Sequence, residues 1–553
     1  MGKKRTKNKR PNMLPNLLVF SLLRRPKNAA DIIHRTYAVC YWQHCRTLKS
    51  RLKVVIYFLL SPLFILKDIN KWSKKVDIKT LKSEKTAVRQ YMEQFYLSFF
   101  YSINAENYYL QEFYAKEGLQ KARYFVNKGA IKNGTYKILT KYGQYINNQY
   151  EVVSLGKKVE FSNFCINNKV PVVPIIQEIL SDGTIIAHHS KYINKELPEE
   201  SLFCKPNIDN EGQGAEIWNW VNGRYQNPQG DTLSKNQLKA YLKNLAQNHK
   251  SGSILVQPLI LPHPKLAVFR KNATPTIRVL SYVDEAGHIE LDQAMLRFSI
   301  DTNSVVDNAS AGGMVAPINM NTGTLGPAIH SDVSVSNTRM DKLSDDLEIR
   351  GVKIPYWAEA LSLVKDVHKN FPYRLVVGWD IVITDKGPVL LEGNNQAGIC
   401  FIQRAHGKTI GQTKTGQAMA NHADKALQVL YNGVIGEGQF GQGKIDLYEG
   451  STFKKALSWF ILKNEKTIEL TVSGQVQNVG YRNWLQTKAK SLKVSGWVQN
   501  NHDRTVTAVL KGRALDIEWL VRECYIGPKK AKVKSITVKW GENYKDNGFR
   551  IIR

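Results

Sequence analysis

The sequence has few cysteines and no long apolar run, and each absence argues against a class of protein. Six cysteines are scattered through 553 residues without a CxxC pair, which disfavours a disulfide framework and predicts reduced thiols. The apolar run of residues 54–66 is too short for a membrane-crossing helix of ~20 residues, and Pro62 interrupts it. The stretch NLLVFSLL is followed by Arg24 and Arg25, not by the small residues of a signal-peptide cleavage site. These absences predict a cytoplasmic protein.

Acidic residues are scarce, above all near the N-terminus. The chain has 78 Lys and Arg against 47 Asp and Glu, and residues 1–75 hold 18 Lys and Arg against 2 Asp. Such a basic arm predicts contact with an anionic membrane surface or an acidic polymer, with a solvated tail as the alternative for residues 1–10. Nucleic acid is the weaker prediction, since no aromatic-basic recognition module is visible. Flanked by Arg51, Lys53 and Lys67, residues 54–66 fit a peripheral segment at the inner face of the membrane or, equally, a buried core helix.

Composition divides the chain into five parts. Residues 1–75 form the basic, partly apolar arm, and residues 76–150, rich in Tyr, Lys and Asn, predict a helical region. Residues 151–432 alternate short β-rich runs with helices and glycine turns, which is typical of an α/β body. A glycine-rich stretch opens the linker predicted over residues 433–466. Residues 467–553 follow a β-α-β-β-α-β order. The fold class is therefore α/β and α+β multidomain.

Two segments of the body carry groups that suit a polyphosphate. SLFCKPNIDNEGQGAEIW predicts a strand that delivers Lys205, then a loop with Gly212 and Gly214. A lysine on a strand reaches phosphate oxygens, and a glycine-rich flap lets backbone amides close over them. Upstream, Lys158 begins a predicted helix. Two glycines in a turn are common, so this pattern alone is a weak signal.

A third segment offers a place for a purine. SILVQPLI predicts an apolar strand whose end presents a backbone edge to adenine. The residues predicted to form this edge are Gln257, Leu259 and Ile260.

The most informative segment is VVGWDIVITDKGPVLLEGNNQAG. Two predicted strands joined by a DKG turn place Asp380 opposite Glu392 and Asn394. These are hard oxygen ligands of the kind that Mg²⁺ prefers, with room left for phosphates. A hairpin with solvated carboxylates is the alternative, but acids inside apolar strands are costly when unpaired.

Taken together, these segments resemble the ATP-grasp fold. More narrowly, TPTIRVLSYV, AMLRFS, VDNASAGGMVAPINMNTGTLG and LLEGNNQAG resemble its sugar-transfer-associated branch, over about residues 150–430. The sequence departs from the family pattern at Gly393, where many members have a branched aliphatic residue. It departs again at Gln257, where an acidic residue often contacts the adenine amino group.

The resemblance implies an ATP-dependent carboxylate–amine ligase that uses ATP with Mg²⁺, or Mn²⁺ in its place. ATP would convert a carboxylate into an acyl phosphate, which an amine then attacks. The two lysines would neutralise the phosphates, and the three oxygen ligands would hold the metal. Arg278 and Arg297 would stabilise the transferring phosphoryl group or clamp the acceptor carboxylate. Asp307, in VDNASAGGM, would be a general base or a structural turn residue.

The C-terminal unit carries a second resemblance. GQVQNVGYR, SGWVQN and IGPKKAKV resemble acylphosphatase, a ferredoxin-like βαββαβ fold. In that family a loop and its arginine bind the phosphate, and an asparagine positions the attacking water. These roles fall on Arg482 and Asn500. The departures are Asn478, Asn501 and Arg504, so the unit is either a competent hydrolase or a phosphate-binding relic.

Both resemblances concern one chemical species, the acyl phosphate. The leading hypothesis is a ligase whose tethered acylphosphatase hydrolyses escaped intermediate, in polysaccharide modification or poly-amino-acid synthesis. The alternative is a membrane-associated, anionic-polymer-binding protein with a regulatory nucleotide site and a phosphate-binding C-terminal module.

Overall fold

The computed structural model describes most of the chain outside the N-terminus and the predicted linker. The described residues are 14–45, 47–76, 85–150, 152–189, 196–207, 214–302, 305, 313–395, 397–427, 465–513, 516–517, 520–521, 523–524, 527–528, 530–540 and 548–552. Three predicted features fall outside them: the flap residue Gly212, the acceptor-side residue Asp307, and all but the last two residues of the linker 433–466.

The N-terminal region is built from helices whose starts are fixed by polar caps. The side chains of Asn28, Thr47 and Thr86 each accept a backbone N–H from the first turn of the following helix. A π-helical turn, Ile131–Thr135, precedes the last helix. The helices are α1 (Pro15–Leu23), α2 (Ala29–His44), α3 (Leu48–Leu59), α4 (Ser61–Ser73), α5 (Ala87–Tyr101), α6 (Ala105–Leu110), α7 (Gly118–Ala122), α8 (Lys128–Ala130) and α9 (Tyr136–Ile146). Within the described ranges, none of the helices combines the length and apolar character needed to cross a membrane.

Two sheets form the α/β body. Seven short strands make the first, in the spatial order β2-β1-β7-β3-β4-β5-β6. They are β1 (Gln177–Leu180), β2 (Ile185–Ala187), β3 (Leu202–Pro206), β4 (Glu216–Val221), β5 (Arg224–Gln226), β6 (Thr232–Leu233) and β7 (Ser253–Pro258).

The second sheet has six strands in the order β11-β10-β9-β8-β14-β15, and β12 and β13 form a separate hairpin. The strands from β8 onward are β8 (Thr276–Val283), β9 (Ile289–Phe298), β10 (Met314–Ile318), β11 (Ile329–His330), β12 (Lys342–Ser344), β13 (Leu347–Glu348), β14 (Val376–Thr384) and β15 (Gly387–Asn394). The body helices are α10 (Lys158–Asn167), α11 (Lys235–Asn248), α12 (Pro264–Ala267), α13 (Trp357–Lys369), α14 (Ile399–His406) and α15 (Lys414–Leu427).

Two inner strands of the six-stranded sheet, β8 and β14, are buried on both faces and are mostly apolar. Every residue of β8 and β14 is buried, and alternate residues enter two different apolar clusters because side chains alternate across a strand. Leu280 packs in one cluster with Ile33 of α2 and Met419 of α15. Val279 packs in the other with Phe161 of α10. Helix α2, within the basic N-terminal arm, is therefore part of the core of the body.

The C-terminal unit has the predicted ferredoxin-like order plus one short strand that the sequence did not indicate. Its elements are β16 (Glu465–Gln475), α16 (Tyr481–Ser491), β17 (Ser495–Asn500), β18 (Val506–Arg513), β19 (Lys532–Trp540) and β20 (Phe549–Ile551). The sheet order is β19-β16-β18-β17-β20, with β20 parallel to β17. The described residues of 516–524 are helical and bury Leu520 and Val521 in the core of this unit.

Arg404 of α14 joins the N-terminal helices to the body. Its buried guanidinium donates to the backbone oxygen of Leu110 (2.6 Å), at the end of α6, and to that of His330 (2.9 and 3.1 Å), in β11. Burial lowers the pKa of Arg404 to about 10. The guanidinium spreads five donors over a rigid plane, so it reaches carbonyls of separate segments at once, whereas the three donors of a lysine sit on one nitrogen.

Arg404→Met should lower the thermal unfolding midpoint by roughly 6–12 °C. Leaving the buried carbonyls unpaired costs ~3 kcal/mol, and each kcal/mol shifts the midpoint by ~2–4 °C for a domain of this size. Differential scanning fluorimetry measures the shift. The control is Arg350→Met, because Arg350 is 60% exposed and pairs with exposed Asp341; its midpoint should stay within about 2 °C. Equal shifts in both variants would contradict the assigned role of Arg404.

Candidate active site

Asp380 lies at the centre of the site, buried in β14. Cross-strand register sets it against Arg278 of β8 on one side and Glu392 of β15 on the other. The Arg278 guanidinium forms a bidentate pair with it (Nη2 to Oδ2, 2.8 Å, and Nε to Oδ1), and Nη2 of Arg297 lies 3.3 Å from Oδ2. Burial acts to raise the pKa of Asp380, but the two arginine charges outweigh it and hold the pKa below its ordinary value. Asp380 is therefore an ionised carboxylate inside the sheet.

The three predicted metal ligands come together around one amide. Asn394 Nδ2 donates to Asp380 Oδ2 (3.2 Å) and to Glu392 Oε1 (3.1 Å). Two carboxylates and one amide suit Mg²⁺, which usually takes one or two protein carboxylates and completes its shell with water and phosphate oxygens. To ligate a cation, Asn394 would have to present its side-chain oxygen where its nitrogen lies. A flip of the side-chain amide exchanges the positions of these two atoms. No group of three or more His, Cys, Asp or Glu suited to a metal occurs among the residues that the structure describes.

The departure at Gly393 has a packing explanation. Gly393 lies opposite Trp379 in the hairpin register, and a Cβ placed on it would come within 2.7 Å of the Trp379 ring. The indole is fully buried and donates to Ser281 Oγ (2.7 Å). The Trp379 ring therefore lies where a larger side chain at position 393 would pack.

The two predicted lysines line one small, partly open pocket, together with Gln257 and Glu392. Apolar side chains and one serine form the rest of its wall: Leu155, Phe161, Ser162, Val173, Ile175 and Leu391. Burial lowers the pKa of Lys205, Glu392 opposes that effect, and nearby Lys158 adds to it. The lining combines two lysine amino groups and one carboxylate with an apolar wall, and this is the chemistry that complements an anionic ligand with an apolar ring.

The predicted adenine edge is only partly at this pocket. Gln257 lines the pocket, and its Nε2 donates to the Val173 backbone oxygen (3.3 Å). Because this bond uses the amide nitrogen, the side chain would contact a ligand as an acceptor, through its oxygen. Leu259 and Ile260 are not among the lining residues. The Leu259 N–H donates to the Ser201 oxygen (2.8 Å), and the Ile260 oxygen accepts the Thr274 hydroxyl (2.8 Å).

The glycine flap is described from Gly214 onward. Gly214 has φ +73°, a left-handed conformation that favours glycine. A Cβ there would also approach Pro206, the residue after Lys205, to 3.1 Å. Both constraints explain a glycine at the point where the flap rejoins the sheet.

Sequence reasoning missed a network at the base of the flap. Glu178 of β1 accepts hydrogen bonds from Asn207 Nδ2 (2.9 Å) and Ser253 Oγ (2.6 Å), and it hydrogen-bonds His188 (3.3 Å). The bond with His188 and those with Ser253 and Asn207 lower the pKa of Glu178, against the effect of burial. The backbone oxygen of Asn207 in turn accepts from Lys158 Nζ (2.8 Å). The sequence pattern that could have identified this network is the acidic Glu178 within an apolar strand, the same pattern that identified Asp380.

Two of the departures from the acylphosphatase pattern, Asn478 and Arg504, have unusual backbone angles. Asn478 and Arg504 have φ +59° and +66°, so both adopt the left-handed conformation that glycine would take. Asn501 Nδ2 donates to Thr505 Oγ1 (2.8 Å) and Thr507 Oγ1 (2.7 Å), which holds the turn after β17. Asn478 and Arg504 thus hold left-handed backbone angles without being glycine.

The two residues with predicted catalytic roles lie where regular elements begin or end, and Asn500 is the last residue of β17. Arg482 is partly buried in the first turn of α16, two residues after Gly480, whose φ is +76°. The Asn500 side-chain oxygen is buried and finds no hydrogen-bond partner in the described part of the chain. A buried acceptor of this kind usually binds a water or a ligand.

Comparison with known proteins gives one result for the α/β body and another for the C-terminal unit. A family model for sugar-transfer associated ATP-grasp matches residues 137–417. Among solved structures, D-alanine–D-alanine ligase from Bacillus anthracis is 14% identical, with a TM-score of 0.27, over 49% of this chain and 67% of that one.

At the C-terminus, an acylphosphatase family model matches residues 468–551. The acylphosphatase of Acidiphilium cryptum is 41% identical over 80 residues, 14% of this chain and 88% of its own. The solved acylphosphatase from Coxiella burnetii is 33% identical over 16% of this chain and 95% of that one, with a TM-score of 0.16.

These matches confirm both resemblances and the predicted fold class. The first family model takes in Lys158, Lys205, Asp380 and Glu392, and the second takes in Arg482. ATP-grasp implies an ATP-binding, ligase-type body, and the C-terminal unit is of the hydrolase type. Since the first match spans just over half of the residues, the chain belongs to the sugar-transfer associated ATP-grasp family and carries an acylphosphatase domain at its C-terminal end.

Proposed function

We propose that this protein is an ATP-dependent carboxylate–amine ligase whose tethered acylphosphatase hydrolyses acyl phosphate that escapes. The observation that carries the proposal is the convergence of Asp380, Glu392 and Asn394 beside a pocket lined by Lys158 and Lys205. A ligase of this kind makes an acyl phosphate, and the C-terminal domain is of a family that hydrolyses one.

In the ligase step, a carboxylate oxygen attacks the γ-phosphorus of ATP, the bond to the β-phosphate oxygen breaks, and ADP leaves. The amine nitrogen then attacks the acyl carbon, the carbon–oxygen bond to phosphate breaks, and the amine loses a proton. Lys158 and Lys205 neutralise phosphate charge, and Arg278 keeps Asp380 ionised and oriented. Mg²⁺, or Mn²⁺, held by Asp380, Glu392 and Asn394, would supply charge neutralisation at the β- and γ-phosphates.

In the hydrolase step, water attacks the phosphorus of the acyl phosphate, and the carboxylate leaves. Arg482 binds the phosphoryl oxygens through its forked donors, and the Asn500 side-chain oxygen accepts a hydrogen bond from the attacking water. A domain on the same chain meets released intermediate at an effective concentration near millimolar. It acts on what escapes the ligase, since a ligase holds a reactive intermediate away from water.

We also propose a setting for the reaction. The sugar-transfer association of the family favours amino-acid or sugar-acid modification of a polysaccharide, with poly-amino-acid synthesis as the second setting. The net charge of +31 and the basic N-terminal region favour work at an anionic surface.

Glu392→Gln should lower the ligation rate at least ~10²-fold. The variant loses one of the anionic oxygen ligands proposed for the metal, which would neutralise the charge that develops on the transferring phosphoryl group. A screen for ADP release with candidate carboxylates and amines identifies the substrates, and a Mg²⁺ titration of each variant then measures the effect. Glu359→Gln, an exposed change on α13, is the matched control and should behave like the wild type. Wild-type ligation by Glu392→Gln would show that the metal assignment is wrong.

Arg482→Ala should abolish hydrolysis of added acetyl or benzoyl phosphate while leaving ligation with the preferred amine nearly unchanged, because the phosphate loop loses its arginine. With poor amines, the wild type should consume more ATP per product than this variant. Arg550→Ala, an exposed change in β20 of the same domain, is the control. Loss of ligation in Arg482→Ala would instead make the domain part of the ligase site, and a wild type without hydrolysis would make it a binding module.

A further inference from the structure

Helices α3 and α4 expose a row of large apolar side chains that the fold does not bury. Leu59 and Leu63 are 68% and 65% exposed. The residues of this row, called here the apolar face, are Leu52, Ile56, Leu59, Leu60, Leu63 and Phe64. Steps of three and four residues connect them, so they lie on one side of a helix.

The apolar face continues across the junction of the two helices. Leu60, between them, has helical angles (φ −84°, ψ −6°), and its N–H donates to the Ile56 oxygen (2.9 Å). The rings of Tyr57 and Phe64 stack across the junction with centroids 6.3 Å apart. One surface therefore runs along both helices.

The opposite side of the same helices holds them to the protein. Val54, Ile69 and Trp72 are buried. The ring of Phe58 packs against Phe20 of α1 (5.7 Å) and Phe99 of α5 (5.9 Å). Because these contacts fix the helices, the apolar face is presented as a rigid surface and not as a loose segment.

Lysines border the apolar face at both ends. Lys49 and Lys53 lie at the start of α3, Lys67 and Lys71 lie along α4, and all four are exposed. No acidic residue occurs between positions 47 and 67. The next residue, Asp68, already accepts the Ala105 backbone N–H (3.0 Å).

We infer that the apolar face docks onto the interfacial region of an anionic lipid bilayer. The apolar side chains would enter the boundary between headgroups and acyl chains, ~5–10 Å deep, while the lysines reach anionic headgroups. Helices of 12 and 13 residues lie along such a surface, since ~20 residues are needed to cross the core. A bilayer has an apolar layer beneath an anionic one, which matches apolar side chains bordered by lysines.

Two other occupants match the face less well. An acidic polymer would pair with the lysines but would leave the six apolar side chains in water. A second copy of the chain would cover the apolar side chains but would bring lysines towards lysines, and like charges facing each other are unfavourable. This inference deepens the surface association proposed above and is independent of the ligase chemistry.

Co-sedimentation of the full chain with phosphatidylcholine vesicles, with and without phosphatidylserine, tests the inference without ATP. Wild type should bind only vesicles that contain phosphatidylserine. Leu59→Ser/Leu63→Ser should weaken binding at least ~10-fold, because affinity scales with the apolar area inserted, while Leu59→Met/Leu63→Met should keep it. Binding should also weaken between 0.1 M and 1 M salt, as the Debye length falls from about 10 to 3 Å.

The matched control is Val268→Ser/Val335→Ser, since these residues are 49% and 64% exposed elsewhere on the protein; it should bind like the wild type. Circular dichroism should show every variant folded, because the changed side chains are exposed. Lipid binding that survives Leu59→Ser/Leu63→Ser would overturn the docking face but keep the surface association. Absence of any wild-type binding would overturn both and leave the ligase proposal intact. A dimer that this variant splits would assign the face to a second copy.

Discussion

The pairing of a buried carboxylate with two arginines is the constraint on which the body of this protein depends. Asp380 lies in a strand that is buried throughout, and an unpaired charge there would be strongly destabilising. Arg278 comes from β8 and Arg297 from β9, so three strands must keep their register for the charge to be compensated. The geometry of the site therefore depends on the register of the sheet, and the stability of the sheet depends on the charge pairing in the site.

The same pairing sets the electrostatic character of the site. The two arginines compensate Asp380, so the adjoining Lys158 and Lys205 face Glu392 with positive charge in excess. An excess of positive charge of this kind favours an anionic ligand. The network that joins Glu178 to Asn207 extends this arrangement to the base of the flap.

The chain adds two modules to this body. The acylphosphatase domain has its own sheet and core, and its proposed substrate is what the body would produce. The N-terminal helices are tied into the body by α2 and by Arg404, while α3 and α4 keep an apolar surface outward. The N-terminal helical region thus supplies both contacts with the core of the body and an exposed apolar surface.

The sequence by itself determined the two families, the order of the domains and the residue types of the site. Acids inside apolar strands, lysines beside glycine turns and the GQVQNVGYR loop are local patterns, and local patterns can be recognised without a structure. Only the tertiary structure decided that Arg278 and Arg297 pair with Asp380, that Trp379 fills the space beside Gly393, and that residues 54–66 are buried on one side and exposed on the other. Each of these depends on the register and packing of segments far apart in the chain, which the periodicity of a single segment does not specify.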